Sequence, residues 1–283
     1  MYKFRPIVKT MVWGTETWVV SAVPGSESVV SEGPEAGKSI TELFPDRFPL
    51  LIKFIDAHQN LSIQVHPNDR IAAERHGCNG KTEMWYIIDS IPEARILDGF
   101  VREIERAEYE EHVSKGTIMD VLADHKASHG DVFFLPAGRV HAICGGCYLA
   151  EIQQTCDISY RIFDYNRPGL DGKPRKLHTL EAMDAIDFTV PDDYRTHYQA
   201  QPDKTVDLIH CQYFATSLLE LTKPFSSSLD NNDEFLIVIC TEGHGNLNGS
   251  PVKAGEAVVL TPKDGIMSLV PEDGRLTVLT CHQ

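Results

Sequence analysis

The chain has no run of 18 apolar residues, so it offers no segment able to cross a bilayer as a helix. Its opening stretch, MYKFRPIVKTMVWG, lacks the long apolar core that a secretory signal needs. The seven cysteines are an odd number, scattered along the sequence without the spacing of a secreted disulfide framework, which points to a reducing cytoplasm. Basic residues are in deficit: 26 Lys and Arg against 41 Asp and Glu, a formal net charge of -15. A surface of that sign repels nucleic acid and anionic membrane, so neither is an expected partner. No dinucleotide-binding glycine fingerprint is present, which disfavours hydride transfer.

What is present is ordinary soluble-protein chemistry, with 42% hydrophobic and 24% charged residues in 283, enough for one large domain or two medium ones. Short runs rich in Val, Ile, Phe and Tyr recur between Gly, Pro and Asp: residues 61–66, 84–88, 132–135, 148–153, 159–165, 235–240 and 257–261. This pattern predicts an all-β sandwich or jelly roll rather than alternating βαβ units. The stretch 92–129 is charged and helix-compatible, and reads as a small helical insertion between strands. Residues 166–200 read as a connector with one short helix near Leu180–Ala185. Gly243, Gly245, Gly249 and Gly255 punctuate the final, strand-rich part at hairpin spacing. The expected layout is mainly β: a first domain over 1–190 carrying the insertion at about 92–129, and a second β domain over 200–283.

Three segments concentrate ligand-type side chains. In Leu61–Asp69, strand alternation puts Gln64 and His66 on one face and Ile63 and Val65 on the other. In Gly80–Ile88, Lys81 and Glu83 share a face, and a carboxylate entering so apolar a strand needs a cation or a metal. In Gly130–His141 the spacing is G-x5-P-x-G-x2-H. A lone His on a strand is more often structural than a ligand, but four ligand-type residues in this order outweigh that reading.

The third segment resembles the second motif of the cupin superfamily of metal-binding jelly rolls. The departures narrow the resemblance: Gln64 stands where the first His of the usual H-x-H would be, sixteen residues separate His66 from Glu83, and Gly145 stands where an Asn often follows the motif. Q-V-H-P-N-D, then G-K-T-E-x-W-Y, then L-P-A-G-x-x-H-A, resembles the type I mannose-6-phosphate isomerase family, in its short prokaryotic branch. The segment Glu151–Arg167, E-I-Q…D-x-x-Y-R-x-x-D-Y, and Trp13-Gly14 agree. The resemblance covers residues 1–170 and is weak after 200.

The resemblance implies that Gln64, His66, Glu83 and His141 hold one divalent metal ion, usually Zn²⁺. Two imidazoles, a carboxylate and an amide oxygen suit that ion independently and leave the site near +1, still a Lewis acid. The resemblance also implies a polar pocket lining of Lys81, Glu151 and Arg161, with Lys53 in the pocket and Arg161 at its mouth. From the residues alone, Lys53 in the run Leu50–Ile55 either snorkels to the surface or pairs with a carboxylate. Arg139 either reaches a phosphate or is a solvated loop residue. The implied activity interconverts D-mannose 6-phosphate and D-fructose 6-phosphate through a metal-stabilised cis-enediol(ate), with a small sugar phosphate as partner and a monomer or homodimer as the assembly. Such chemistry needs an oxyanion stabiliser and a proton carrier between neighbouring carbons. Lys81, Glu151 and a metal-bound water are open candidates for the carrier, whereas Arg161, always protonated, fits charge stabilisation. The rival readings are a metal-retaining sugar-binding cupin without catalysis, and a cupin enzyme acting on another sugar or by oxygenase chemistry.

Other motifs carry less. Cys144-Gly-Gly-Cys147 has no second pair at zinc-finger spacing. Gly243-His244-Gly245 reads as a hairpin turn. The stretch 255–262 echoes the cupin second motif without its His, so the second domain is expected to be metal-free. His58, His76, His112, His125, His129 and His282 are expected at the surface.

Overall fold

Strands rich in β-branched and aromatic residues bury both faces only when another layer covers each of them. In a computed structural model, which describes residues 1–230 and 233–283, the chain divides into two units. One comprises residues 8–17 and 51–195, the other residues 1–7, 18–50 and 196–283. Both are mainly β and their strand pairs are antiparallel, as the spacing of apolar runs predicts.

The first of these units carries two sheets. One is six-stranded, in the order Val132–Leu135, Glu83–Ser90, Cys147–Gln154, Leu50–Ala57, Gly14–Val20, Ile7–Met11. The other is five-stranded, in the order Leu122–Lys126, Arg95–Phe100, His141–Ile143, Ile63–Val65, Tyr160–Phe163. Trp85, Ile87, Phe133, Leu135, Leu149 and Ile55 of the first sheet pack with Ile96 and Ile143 of the second in one buried cluster. Ile63, Val65, Leu97, Val140 and Ile162 face the other way and pack under Tyr109, Ile118, Ala182 and Met183. Helices Arg106–Lys115 and Thr179–Ala185 therefore cover the outer face of the five-stranded sheet. The parity expected for strand 61–66 holds: its apolar members serve the outer cluster, leaving Gln64 and His66 for the inner face.

Four expectations need correction. The segment 92–129 is helical only in its middle, because strands Arg95–Phe100 and Leu122–Lys126 pair with each other across it. Its charged text hides them, and Asp98, fully buried in the first strand, is tolerated because Arg139 pairs with it. The domains are also not consecutive along the chain. Residues 1–7 and 18–50 belong with 196–283, and Tyr2–Lys3 pairs with Glu256–Leu260 in the eight-stranded sheet of that unit. A two-residue strand is too short to show any periodicity in sequence. Finally, Gly243-His244-Gly245 is not a turn but lies within strand Leu236–Leu247, at a bulge against Ile266–His282. His112, His125 and His282 are half-buried rather than exposed; His125 lies against Phe133 and Tyr194.

A helix that the sequence reading did not anticipate, Asp69–His76, follows His66 directly, capped by the Asn68 side chain accepting from Ile71 N–H at 3.0 Å. The backbone returns across its start at Gly80, whose N–H donates to Asp69 Oδ1 at 2.8 Å. A Cβ at Gly80 would lie 2.6 Å from the Asn68 carbonyl carbon and from Asp69 N. This close approach brings Lys81 and Glu83 beside His66, with Lys81 N–H donating to Pro67 O at 3.1 Å. Gly80→Ala is expected to destabilise the protein by about 1–3 kcal/mol in urea unfolding, with reduced metal uptake by the folded fraction.

Candidate metal centre

Register places the ligand-type residues. His141 opens strand His141–Ile143 and sits directly opposite Gln64 on one side and Asp98 on the other, while Arg161 lies opposite Gln64. Directly opposite residues of an antiparallel pair project to the same face, so Arg161, Gln64, His141 and Asp98 form one row. Glu83 begins a strand of the facing sheet, where it lies opposite Leu135 and Gln153.

The side chains converge. Glu83 Oε1 lies 3.6 Å from His66 Nε2 and 3.3 Å from His141 Nε2. The ligand atoms of these three residues all lie within 4.8 Å of one another. The Gln64 amide is 3.4 Å from His141 Nε2, and turning it over presents its oxygen at the same place. His66, Glu83 and His141 are buried, and Gln64 is half-buried.

The protonation of this cluster follows from its partners. His66 Nδ1 meets Ile158 O at 2.9 Å and His141 Nδ1 meets Arg139 O at 2.9 Å. A carbonyl only accepts, so each Nδ1 carries the hydrogen and each Nε2 presents a lone pair. Burial pushes both imidazoles down in pKa, His141 to about 3, and keeps them neutral. Burial also opposes ionisation of Glu83, but the neighbouring Lys81 outweighs it and holds the carboxyl well below its usual range. Glu83 Oε1 is buried without a hydrogen-bond donor. Two imidazole lone pairs and an anionic oxygen thus converge, with Lys81 Nζ reaching His66 Nε2 from one side and no hydrogen-bond donor on Glu83 Oε1. A divalent cation resolves that arrangement, and the N, N, O donor set with an adjacent amide suits Zn²⁺ among first-row ions.

A second charged cluster adjoins the first. Lys81 Nζ contacts Glu83 Oε2 and lies 3.1 Å from His66 Nε2 and 3.6 Å from Glu151 Oε1. Lys53 donates to Glu151 Oε1 at 3.0 Å and lies 3.6 Å from Glu16. Trp85 Nε1–H donates to Glu151 Oε2 at 2.8 Å. Burial disfavours the Lys53 ammonium, yet Glu151 and Glu16 more than compensate and raise its pKa. Glu151 is disfavoured by burial and by Glu83, but Lys53 and Lys81 hold it ionised. Of the readings open for Lys53 in the sequence, it pairs with carboxylates within the site.

Arg161 shares the row of Gln64, where its NH1 donates to Lys176 O at 2.8 Å and its buried Nε has no hydrogen-bond partner. Its neighbours Arg167 and Arg175, not singled out in the sequence, donate to Asp164 at 2.9 and 2.6 Å. Three guanidiniums around one buried carboxylate leave a net positive patch in an acidic protein. Arg139, expected to reach a phosphate or to lie in solvent, is half-buried: its NH1 donates to buried Asp98 at 3.1 Å and its guanidinium lies over the Tyr194 ring. Burial raises the Cys144 and Cys147 thiols to about 11 and about 12, which keeps both protonated. The sulfurs of Cys78 and Cys156 also lie 3.9 Å apart.

Removing one partner from a buried ion pair strands the rest. Glu151→Gln is expected to cost about 3–5 kcal/mol of unfolding free energy, since Lys53 and Lys81 both lose their shared carboxylate. Urea titration checks it, and a loss below about 1 kcal/mol would place this network in solvent-like surroundings.

The family model of the phosphomannose isomerase type I catalytic domain matches residues 11–89. Mannose-6-phosphate isomerase ManA of Bacillus subtilis is 34% identical over 291 residues, covering 91% of both chains. The mannose-6-phosphate isomerase of Streptococcus mutans is 30% identical, over 82% of this chain and 76% of that one. The crystal structure of the mannose 6-phosphate isomerase from Bacillus subtilis superposes with a TM-score of 0.91 at 29% identity, covering 100% of this chain and 99% of the other. With its converging His66, Glu83 and His141 and a relative this similar along nearly its whole length, the chain belongs to the type I phosphomannose isomerase family.

Proposed function

We propose that the protein is a zinc-dependent aldose–ketose isomerase that interconverts D-mannose 6-phosphate and D-fructose 6-phosphate in the cytoplasm. The observation that carries the reading is the set of lone pairs at His66 Nε2, His141 Nε2 and Glu83 Oε1, beside a buried Lys–Glu network. The relatives named above are mannose-6-phosphate isomerases. No helix among the described residues is long and apolar enough to cross a membrane.

His66, Glu83, His141 and Gln64 are the residues to hold the ion. When bound there, a Zn²⁺ ion supplies Lewis-acid stabilisation to the negative charge that develops on the sugar's O1 and O2. The remaining work falls to the chain's own groups. Glu151, ionised and held by Lys53 and Trp85, is a carboxylate able to take the C2 proton of the aldose and return it to C1. Lys81 sits between Glu83 and Glu151 and supplies a donor to the developing enediolate. Arg161, with Arg167 and Arg175 nearby, offers guanidinium forks to the sugar's phosphate. Lys53 keeps Glu151 charged and in place.

An assay coupling mannose 6-phosphate consumption to fructose 6-phosphate formation tests the proposal. Chelation should abolish turnover and Zn²⁺ should restore it. His66→Ala should lower metal content and activity together. Arg161→Ala should retain the metal while turnover falls on the order of a hundredfold; loss of metal in that variant would contradict its assigned role. Tight sugar-phosphate binding by metal-loaded protein with no turnover would leave a binding protein rather than an enzyme.

A further inference from the structure

The imidazole of His141 is oriented by a backbone carbonyl, that of Arg139, and Arg139 is itself gripped from two sides. Its NH1 donates to Asp98 Oδ1 at 3.1 Å, and its guanidinium carbon lies 4.8 Å from the centroid of the Tyr194 ring. Asp98 is fully buried and stands directly opposite His141 in the sheet. Its second oxygen, Oδ2, is buried without a hydrogen-bond partner, so the Arg139 pair is a contact made at real desolvation cost. Tyr194 is fixed in turn: its hydroxyl donates to Phe100 O at 2.7 Å, and a Cβ added at Gly99 would lie 2.3 Å from its ring. The segment leading to Tyr194 is also laced to the ligand turn, with Asp187 N–H donating to Gly138 O at 2.9 Å and Gly138 N–H donating to His66 O at 2.9 Å.

We infer that Asp98, Arg139 and Tyr194 form a clamp whose task is to set the rotation of His141 and thereby the affinity of the metal centre. His141 is the first residue of its strand, and the preceding turn, residues 136–140, is held by single bonds rather than a ladder, among them Gly99 N–H to Val140 O at 2.7 Å and Arg139 N–H to Pro136 O at 3.1 Å. The Arg139 carbonyl can accept from Nδ1 only while the backbone at Arg139 keeps its direction. A long side chain on a turn ordinarily wanders; pinned at its head by a buried carboxylate and an aromatic face, it holds that backbone. The conserved physical logic is that a ligand imidazole needs its far nitrogen hydrogen-bonded to present the near one correctly, and outer contacts of this kind change metal affinity 10–100-fold. Asp98, Arg139 and Tyr194 are thus positioning residues, acting through His141 without touching substrate. Tyr194 comes from the segment the sequence reads as a mere connector, which gives that segment a function in the site.

This inference rests on the metal-centre reading proposed above, and the test separates the two. Zn²⁺ affinity of the full-length protein is measured by competition with a chromophoric chelator, alongside urea unfolding of the metal-free form. Asp98→Asn keeps the shape and removes the charge; Tyr194→Phe keeps the ring and removes only the hydroxyl; Tyr194→Leu removes the aromatic face. Asp98→Asn and Tyr194→Leu should weaken Zn²⁺ binding about tenfold or more, whereas Tyr194→Phe should stay closer to the parent. In ¹⁵N spectra of histidine-labelled protein, the two weakened variants should lose the single Nδ1–H tautomer of His141. Variants that unfold more easily yet bind Zn²⁺ with parental affinity would reduce the clamp to a structural contact and overturn the inference. Should Asp98→Asn not fold, the Tyr194 pair decides alone. A parent protein that takes up no Zn²⁺ would remove the metal-centre reading and this inference with it.

Discussion

Three atoms with lone pairs facing one another inside a protein are unstable unless a positive charge lies among them. That constraint organises the site of this protein. His66 and His141 are locked by backbone carbonyls with their Nε2 lone pairs inward, and Glu83 meets them as a carboxylate. Each of these features is costly alone: an imidazole kept neutral by burial, an ionised acid removed from water, an oxygen without a donor. Together they have the make-up of a metal-ligand set. The two sheets, the capped helix after His66 and the tight approach at Gly80 exist, in this reading, to hold the three residues at ion-binding separation.

The charges around that set are arranged with the same economy. Glu151 is shared between Lys53 and Lys81, and Trp85 fixes its other oxygen. The result is a carboxylate that is charged, oriented and adjacent to the ligands, which is what a proton carrier needs. On the row of Gln64, Arg161 and its neighbours around Asp164 concentrate positive charge in a chain whose overall charge is strongly negative. A small anion is drawn to such a place, while a polyanion meets the repulsive remainder of the surface.

Much of the site was legible because strand alternation is a rule of period two. Gln64 with His66, and Lys81 with Glu83, share faces in sequence and share them in the fold, with Ile63 and Val65 turned to the opposite cluster. The partners that make the ligands competent were not legible. Ile158 O and Arg139 O are backbone atoms, to which sequence assigns no special identity. Asp98 lay in a stretch read as a helical insertion because its neighbours are charged. Nothing in the turn of Arg139 shows that a carboxylate 41 positions away is buried against it. The approach of the Cys78 and Cys156 sulfurs, 3.9 Å apart and far apart in the chain, leaves no trace in the sequence either.

The sequence by itself determined the secondary-structure class, the faces of the ligand strands and the chemical kind of the site, because each depends on local alternation and on the identity of side chains. Only the tertiary structure decided which residues complete it. The N-terminal strand joins the last third of the chain through a two-residue pairing, and the connector before residue 196 supplies Tyr194 to the turn of His141. Such contacts depend on how distant segments meet in space, and a chain read one residue after another carries no local trace of that meeting.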